Sequence, residues 1–335
     1  SQTHLSRQIL GELAATQTFA LRRRVRSEQE LFTLLERGRI GAGIVIPADL
    51  DRRLMRGRGA DIAIFADAST PTVAAAIALA GQGFSASLAA RLQPLPPDGQ
   101  AHHLLPADRR SLGAVADLVR PAAVQVEVLP FYNPERRTPV FIVPGLVGVI
   151  LTMTMMLMTA LAVVRERERG TFEFLIATPV RRTEVMIGKI LPYVVVGLLQ
   201  VGLILTLGAV VFAVPIHGNL AELAAGSAVF IGAMLAMGLG ISSIAKTQFQ
   251  AVQLSFFFFL PSMLLSGFMF PFEAMPRPAQ WLGELLPLTH FLRIVRGILL
   301  KGARLETLAF EVAAIAAFGL LALGVSVTLF RKRLD

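Results

Sequence analysis

Cysteine is absent from this chain, and charged residues are scarce. Without thiols the chain can form neither disulfides nor thiolate-bound metal sites. Of its 335 residues, 16% are charged and 54% are hydrophobic, whereas a soluble domain averages about 25% charged residues. Together with a mean hydropathy of +0.63, this composition indicates a membrane protein.

Motifs for nucleic-acid binding and for chemistry are missing as well. The net charge is +9, yet no stretch interleaves basic residues with aromatics as a nucleic-acid groove does. The phosphate-binding pattern G-x-x-x-x-G-K-[ST] is absent, because Gly188–Lys189 lacks both the earlier glycine and the following hydroxyl residue. His102 and His103 have no third metal ligand nearby. We therefore expect no enzyme activity, no cofactor, no metal site and no nucleic-acid partner.

Long apolar runs dominate the chain beyond residue 138. A membrane-spanning helix needs about 20 apolar residues, and five runs reach that length. We therefore expect an α-helical polytopic membrane domain over 139–335, with helices at about 141–164, 190–214, 221–245, 250–270 and 308–330.

The middle third of each run carries no charged residue. Carriers coupled to protons or ions usually keep ionisable groups at this depth. Their absence favours an energy source outside the membrane, such as a soluble ATPase docked on the cytoplasmic side.

Residues 1–138 alternate helical and strand patterns, which is typical of a small α/β domain. Strands are predicted at 19–25, 40–46, 61–66 and 124–129. A Pro-rich connector without periodicity occupies 93–110. The chain starts without a signal peptide. Since the topology places this domain outside the cytoplasm, we expect a membrane helix upstream of Ser1 in the native protein.

Basic residues at the ends of the runs predict the orientation. One side collects ten of them: Arg165, Arg167, Arg169, Arg181, Arg182, Lys189, Lys246, Arg331, Lys332 and Arg333. The other side collects five: Arg277, Arg293, Arg296, Lys301 and Arg304. The positive-inside rule then places the C-terminus and the 165–189 stretch in the cytoplasm, and the N-terminal domain outside it.

The 165–189 stretch is a charged island between two spans. Arg165/Glu168 and Glu166/Arg169 are i,i+3 pairs that support a helix continuing out of the membrane. Beyond Gly170, a second short helix presents an apolar face and ends at Pro179. Such a face suits either a cleft in a partner protein or the lipid surface, and spacing alone leaves both open.

The stretch 272–301 and a set of residues inside the apolar runs each have more than one interpretation. The pattern over 272–301 predicts short amphipathic helices that lie in the outer interface or re-enter the membrane. Interior residues could line a pathway, but ordinary helix packing is the favoured explanation for those at 141–164, and lipid contact explains the aromatic run at 256–259 equally well. These candidates are Thr152, Met155, Met156, Thr159, Phe256 and Ser262.

Several blocks resemble the ABC-2 type transporter permeases: FIVPGLVGVIL at 141–151, VRERERGTFEFLIATPVRRTEVMIGKILPYV at 164–194, LSFFFFLPSMLLSGFMFP at 254–271 and LPLTHFLRIVRGILLKGA at 286–303. The similarity covers 131–335. Residues 1–130 resemble the external domain between the first and second helices of the multidrug-efflux subgroup. The resemblance implies six transmembrane helices in the full protein, of which the first is absent from this chain.

The resemblance implies a subunit that pairs with a second permease, identical or different, and is driven by a separate ATP-binding cassette ATPase that binds ATP and Mg²⁺. It also implies that the island docks on that ATPase. The implied contact residues are Glu166, Arg169, Gly170, Thr171, Glu173, Leu175, Thr178, Pro179 and Arg181. An external gate is implied at Leu286, Pro287, His290 and Arg293.

The sequence thus predicts a permease subunit that exports an amphiphilic or drug-like substrate from the cytoplasm or the inner leaflet, with a periplasmic adaptor as a further partner. The alternative is a mechanotransmission protein, in which ATP hydrolysis moves the external domain and nothing crosses the membrane. Arg outnumbers Lys by 28 to 4, a bias typical of GC-rich bacterial genomes, so we expect the bacterial inner membrane as its location. No side chain selects the substrate.

Overall fold

The computed structural model describes residues 10–11, 23–25, 27–36, 40–47, 49–55, 60–68, 71–92, 124–133, 135, 137–169 and 182–331. The chain separates into two compact units. One consists of Ser1–Leu35, Arg39–Ala68 and Thr72–Pro134, and the other contains Glu135–Asp335.

The first unit is built on a three-stranded sheet in the order β1-β2-β3. Its strands are β1 (Ala42–Val45), β2 (Ala60–Asp67) and β3 (Val124–Phe131), and its helices are α1 (Glu28–Glu36), α2 (Leu50–Met55) and α3 (Pro71–Leu92). β2 pairs antiparallel with β1 and parallel with β3. The predicted strand at 19–25 lies mostly outside the described residues, and its last three residues are not in a strand.

Successive side chains of β2 point to opposite faces of the sheet, and helices pack on both faces. Ile64 and Ala66 pack with Ile77 of α3 on one face. On the other face Phe65 lies in an aromatic cluster with Phe32 of α1 and Phe131, with ring centroids 5.3 to 5.6 Å apart.

Among its described residues, the second unit has five helices that are long and apolar enough to cross a membrane. They are α4 (Thr138–Glu168), α5 (Arg182–Phe212), α6 (Leu220–Ile244), α7 (Gln248–Leu265) and, after a 3₁₀ turn at Leu305–Leu308, α10 (Ala309–Arg331). Two shorter helices, α8 (Arg277–Glu284) and α9 (Pro287–Lys301), lie between α7 and α10. The prediction of five apolar spans is confirmed.

Two helices extend beyond the apolar runs that predict them. α4 continues four residues past Val164, and α5 begins at Arg182, before the predicted start at 190. The predicted runs describe only the apolar part of each helix, and the apolar part of α5 is Leu191–Phe212. The extension of α4 lies where the Arg165/Glu168 and Glu166/Arg169 pairs predict a helix that continues out of the membrane.

α4 and α6 form the centre of the bundle. In each of them 61% of the span is buried, whereas in α5, α7 and α10 the buried share is 17%. The two central helices approach closely at Gly238, where an added Cβ would lie 2.5 Å from the carbonyl oxygen of Met156. Small residues at such crossings let helix backbones come together inside a membrane.

α9 is buried inside the bundle, whereas α8 lies on its surface. Leu288, Phe291 and Ile298 of α9 are fully buried, and Phe291 stacks on Phe230 of α6 with centroids 4.1 Å apart. By contrast, Trp281 of α8 is 69% exposed. The two short helices that the pattern over 272–301 predicts thus differ in burial.

Hydrogen bonds show which helix ends lie together at each end of the bundle. At one end Arg137 Nη2 donates to Phe212 O (2.7 Å), so α4 starts where α5 stops. The backbone N–H of His217 donates to Leu299 O (3.0 Å), which brings α9 to the same end. At the other end, α4 reaches the turn between α6 and α7. The spans α4, α5, α6 and α7 therefore cross in alternating directions.

Candidate functional site

The charged end of α4 is the described part of the predicted ATPase-contact stretch. Glu166 is half-buried and Arg169 is exposed, and the helix is closed by the N–H of Arg169 donating to Arg165 O (3.1 Å). The remaining predicted contact residues lie outside the described residues: Gly170, Thr171, Glu173, Leu175, Thr178, Pro179 and Arg181.

The last turn of α4 is bonded to the first residue of α7. The carboxylate of Glu168 accepts a hydrogen bond from the backbone N–H of Gln248 (2.9 Å) and a second one from its side-chain amide. Arg165 Nε donates to Gln248 Oε1 (3.3 Å). Both members of the predicted Arg165/Glu168 pair thus hydrogen-bond the same third residue, Gln248. Sequence reasoning missed Gln248, because it is neutral and lies 80 positions from Glu168.

The same turn of α4 also contacts the end of α6. Arg167 Nη1 donates to the carbonyl oxygen of Ala245, the C-cap residue, at 3.1 Å. Helix C-termini carry partial negative charge and N-termini partial positive charge. The guanidinium of Arg167 therefore complements the end of α6, as the carboxylate of Glu168 complements the start of α7.

Most of the predicted pathway residues lie within the helix packing of this subunit. Thr152, Met155, Met156 and Thr159 are all buried. The two threonine hydroxyls donate to carbonyl oxygens of their own helix, four residues back. In this subunit, the packing interpretation describes these four residues.

The two candidates on α7 differ from each other. Ser262 is buried, and its hydroxyl donates to Phe258 O (2.8 Å). Phe256 is 44% exposed.

A polar contact that the sequence analysis missed joins α4 to α5, where Thr154 Oγ1 donates to Gln200 Oε1 (2.9 Å) near the middle of both helices. A search restricted to charged residues overlooks it.

A partly buried ionic cluster joins α8, α9 and α10 at the opposite end of the bundle from Glu168. His290, only 4% exposed, points Nδ1 at the carboxylate of Glu311 and Nε2 at the carbonyl oxygen of Glu284 (2.8 Å). Arg293 bonds the carboxylates of Glu284 (3.0 Å from Nη1) and Glu311 (3.5 Å). Two predicted gate residues, His290 and Arg293, are therefore brought together, with two glutamates that the prediction did not include.

The surroundings of His290 favour its charged form. Burial alone would lower its pKa, but the hydrogen bonds to Glu311 and to the Glu284 carbonyl outweigh burial, so the pKa of His290 is raised above its ordinary value. The other two predicted gate residues begin the same helix: Leu286 is half-buried at the N-cap, and Pro287 is buried at the first helical position.

The described residues form five apolar helices, with a charged helix end on one side and a partly buried ionic cluster on the other, and this arrangement is that of a polytopic membrane protein. The chain belongs to the ABC-2 transporter family: the pattern described as ABC-2 family transporter protein matches residues 1–328. It is therefore a multi-pass permease of the inner membrane. This match confirms the resemblance seen in the sequence. Permeases of this family act with an ATP-binding cassette ATPase subunit.

Individual relatives are similar over most of the chain. The probable multidrug ABC transporter permease YbhS of Escherichia coli is 30% identical over 313 residues, covering 92% of this chain and 77% of YbhS. The inner membrane transport permease YhhJ of the same organism is 29% identical over 301 residues, covering 89% and 75%. The probable multidrug permease YbhR is 35% identical over 187 residues, covering 56% and 51%.

Proposed function

We propose that this chain exports an amphiphilic or drug-like substrate from the cytoplasm or the inner leaflet, powered by an ATPase that docks on the 165–189 stretch. The observation that carries the proposal is the hydrogen-bonded attachment of the α4 end to Gln248. A displacement of this helix end would be transmitted to α7, because the two are hydrogen-bonded. The multidrug names of two relatives support the substrate class.

The proposed orientation puts the α4 end in the cytoplasm and the first unit outside it. Arg165, Arg167 and Arg169 lie together at that end, as the positive-inside rule requires. Alkaline phosphatase, which is active only outside the cytoplasm, tests it. A fusion after Arg169 should be inactive and one after Gly302 active, and the reverse pattern would overturn the orientation.

The substrate pathway is proposed to lie between two permease subunits. The centre of the described bundle is filled by buried side chains such as Met155, Phe230 and Phe291. A path for a drug-sized molecule through that centre would require repacking the whole core. Phe256, exposed on α7, is then the candidate lining residue. The buried start of α9 with its ionic cluster, comprising Leu286, Pro287, His290 and Arg293, is the proposed external gate.

The partners and ligands follow from this arrangement. ATP and Mg²⁺ are proposed to bind to the partner ATPase and not to this chain. The sheet-containing first unit is the proposed contact for a periplasmic adaptor.

Transport in inside-out vesicles tests the proposal. Vesicles that contain this chain with its ATPase are loaded with an amphiphilic bisbenzimide dye that fluoresces in the membrane. ATP should lower the fluorescence, and an ATPase inactivated at its catalytic site should abolish the change. Absence of ATP-dependent movement across a panel of amphiphiles, with the ATPase active, would contradict export.

Mechanotransmission is the second candidate, and the separately folded first unit favours it. It predicts that ATP changes the protease sensitivity of this unit while no dye moves. Export predicts ATP-dependent dye movement.

A further inference from the structure

We propose that Glu168 and Gln248 form a rigid joint that transmits motion from the end of α4 to α7, and that both act as positioning residues. This inference rests on the proposed function, because it assumes that the ATPase pushes on the stretch that follows α4.

Gln248 makes three hydrogen bonds to the last turn of α4. Its backbone N–H and its side-chain amide both donate to the Glu168 carboxylate, and its Oε1 accepts from Arg165 Nε. Hydrogen bonds to charged groups are stronger than those between neutral groups. Sliding α7 along α4 would break all three contacts at once, so the two helix ends are expected to move as one body.

The other half of the α6–α7 turn is held as well. Arg167 binds Ala245 O, and Lys246 N–H donates to Gln250 Oε1 inside the turn (2.8 Å). Below these polar contacts, Ala245 and Ala251 are buried against Val164 of α4 in one apolar cluster. Packed interiors transmit displacement because they hold few voids that could absorb it.

The joint shortens the route from the ATPase to α7. Glu168 and Gln248 are 80 residues apart along the chain, with α5 and α6 between them. Through the joint, a displacement of α4 reaches the first residue of α7 directly. α7 bears Phe256, the exposed candidate for the pathway, so the joint would turn movement of α4 into movement of the pathway wall.

A thiol pair can break and restore this joint in a single variant, because the chain has no cysteine of its own. The variant E168C/Q248C, assembled with its ATPase, loses the three hydrogen bonds. With free thiols its transport should fall at least about five-fold, within the usual range of coupling between sites. A short bis-methanethiosulfonate reagent that bridges both thiols should restore transport. The single variants E168C and Q248C, treated with the same reagent, should not recover.

Two outcomes would overturn the joint. If the free-thiol variant transports at the wild-type rate, the contacts transmit nothing. If the bridged variant is assembled and binds the ATPase but stays inactive, the helix ends must separate during the cycle.

A second readout keeps this test independent of export. A nitroxide on Phe257→Cys, an exposed position of α7, reports an ATP-dependent change in lipid accessibility even if no substrate moves. The change should be present in the otherwise wild-type chain and lost in E168A/Q248A. If it persists in E168A/Q248A, the joint is refuted. If the change follows this pattern but no dye is transported, export fails and the joint stands.

Discussion

Replacing Gly238 by alanine should push α4 and α6 apart, because the new Cβ would lie 2.5 Å from Met156 O and 2.8 Å from Thr159 Cβ. Carbon atoms in good contact are about 3.5–4.0 Å apart, so the helices must separate by about 1 Å. The obstacle at Met156 is backbone, which no rotamer change can move away.

The magnitude follows from two opposing terms. Overpacking a core costs typically about 1–3 kcal/mol, whereas alanine improves helix propensity over glycine by about 0.8–1.0 kcal/mol. The clash should dominate, because the obstacle is the backbone of α4 at a buried crossing of the two central helices. The difference leaves a net cost of about 1 kcal/mol, which should lower the melting temperature of Gly238→Ala by about 3 °C at about 2–4 °C per kcal/mol for 150–250 residues.

Gly232 provides the matched control. It lies on the same helix, and an added Cβ there meets nothing within 4 Å. Thermostability of fluorescent-protein fusions in detergent, read by size-exclusion chromatography after heating, compares the two variants. The packing argument fails if Gly238→Ala melts at or above Gly232→Ala.

Two further predictions concern polar contacts. Since the pKa of His290 is raised in the folded chain, its contribution to stability is complete below the unfolded value of about 6.5 and is lost as the pH rises through the folded pKa. The stability difference between wild type and His290→Gln should therefore shrink from pH 6.5 upward, and a difference that grows over that range would contradict the charged form of His290. In a double-mutant cycle, Thr154→Val with Gln200→Leu should show a coupling of about 0.6 kcal/mol, as hydrogen bonds between membrane helices do on average. Zero coupling would mean that the contact contributes nothing to stability.

Features that depend on neighbouring residues were predictable from the sequence. The five spans follow from runs of about 20 apolar residues, and three strands of the first unit lie close to the strand patterns predicted at 40–46, 61–66 and 124–129. The burial of α9 was left open, because its spacing suits both an interface and a bundle. Its partners, such as Phe230, lie on another helix.

Contacts between distant segments were not predictable. Glu168 carries an obvious local partner in Arg165, yet both side chains bond Gln248, which no local pattern marks. His290 was a gate candidate through the family resemblance, but its place in an ionic cluster depends on Glu311, 21 residues away. Single-sequence patterns reveal which residues are polar and do not reveal which of them meet.

The central claim is that force from the ATPase enters this subunit through the stretch that follows α4. The most direct measurement is ATPase co-purification together with dye transport for the variant E166K/E173K, compared with Glu306→Lys, an exposed glutamate near the other end of the bundle. Charge reversal at an interface costs several kcal/mol, so E166K/E173K should lose at least about ten-fold in both quantities.

Membrane insertion and melting temperature of E166K/E173K should match the wild type, and Glu306→Lys should bind the ATPase and transport normally. If E166K/E173K retains ATPase binding and dye transport at wild-type levels, the stretch does not receive the ATPase, and the account of coupling through α4 is wrong.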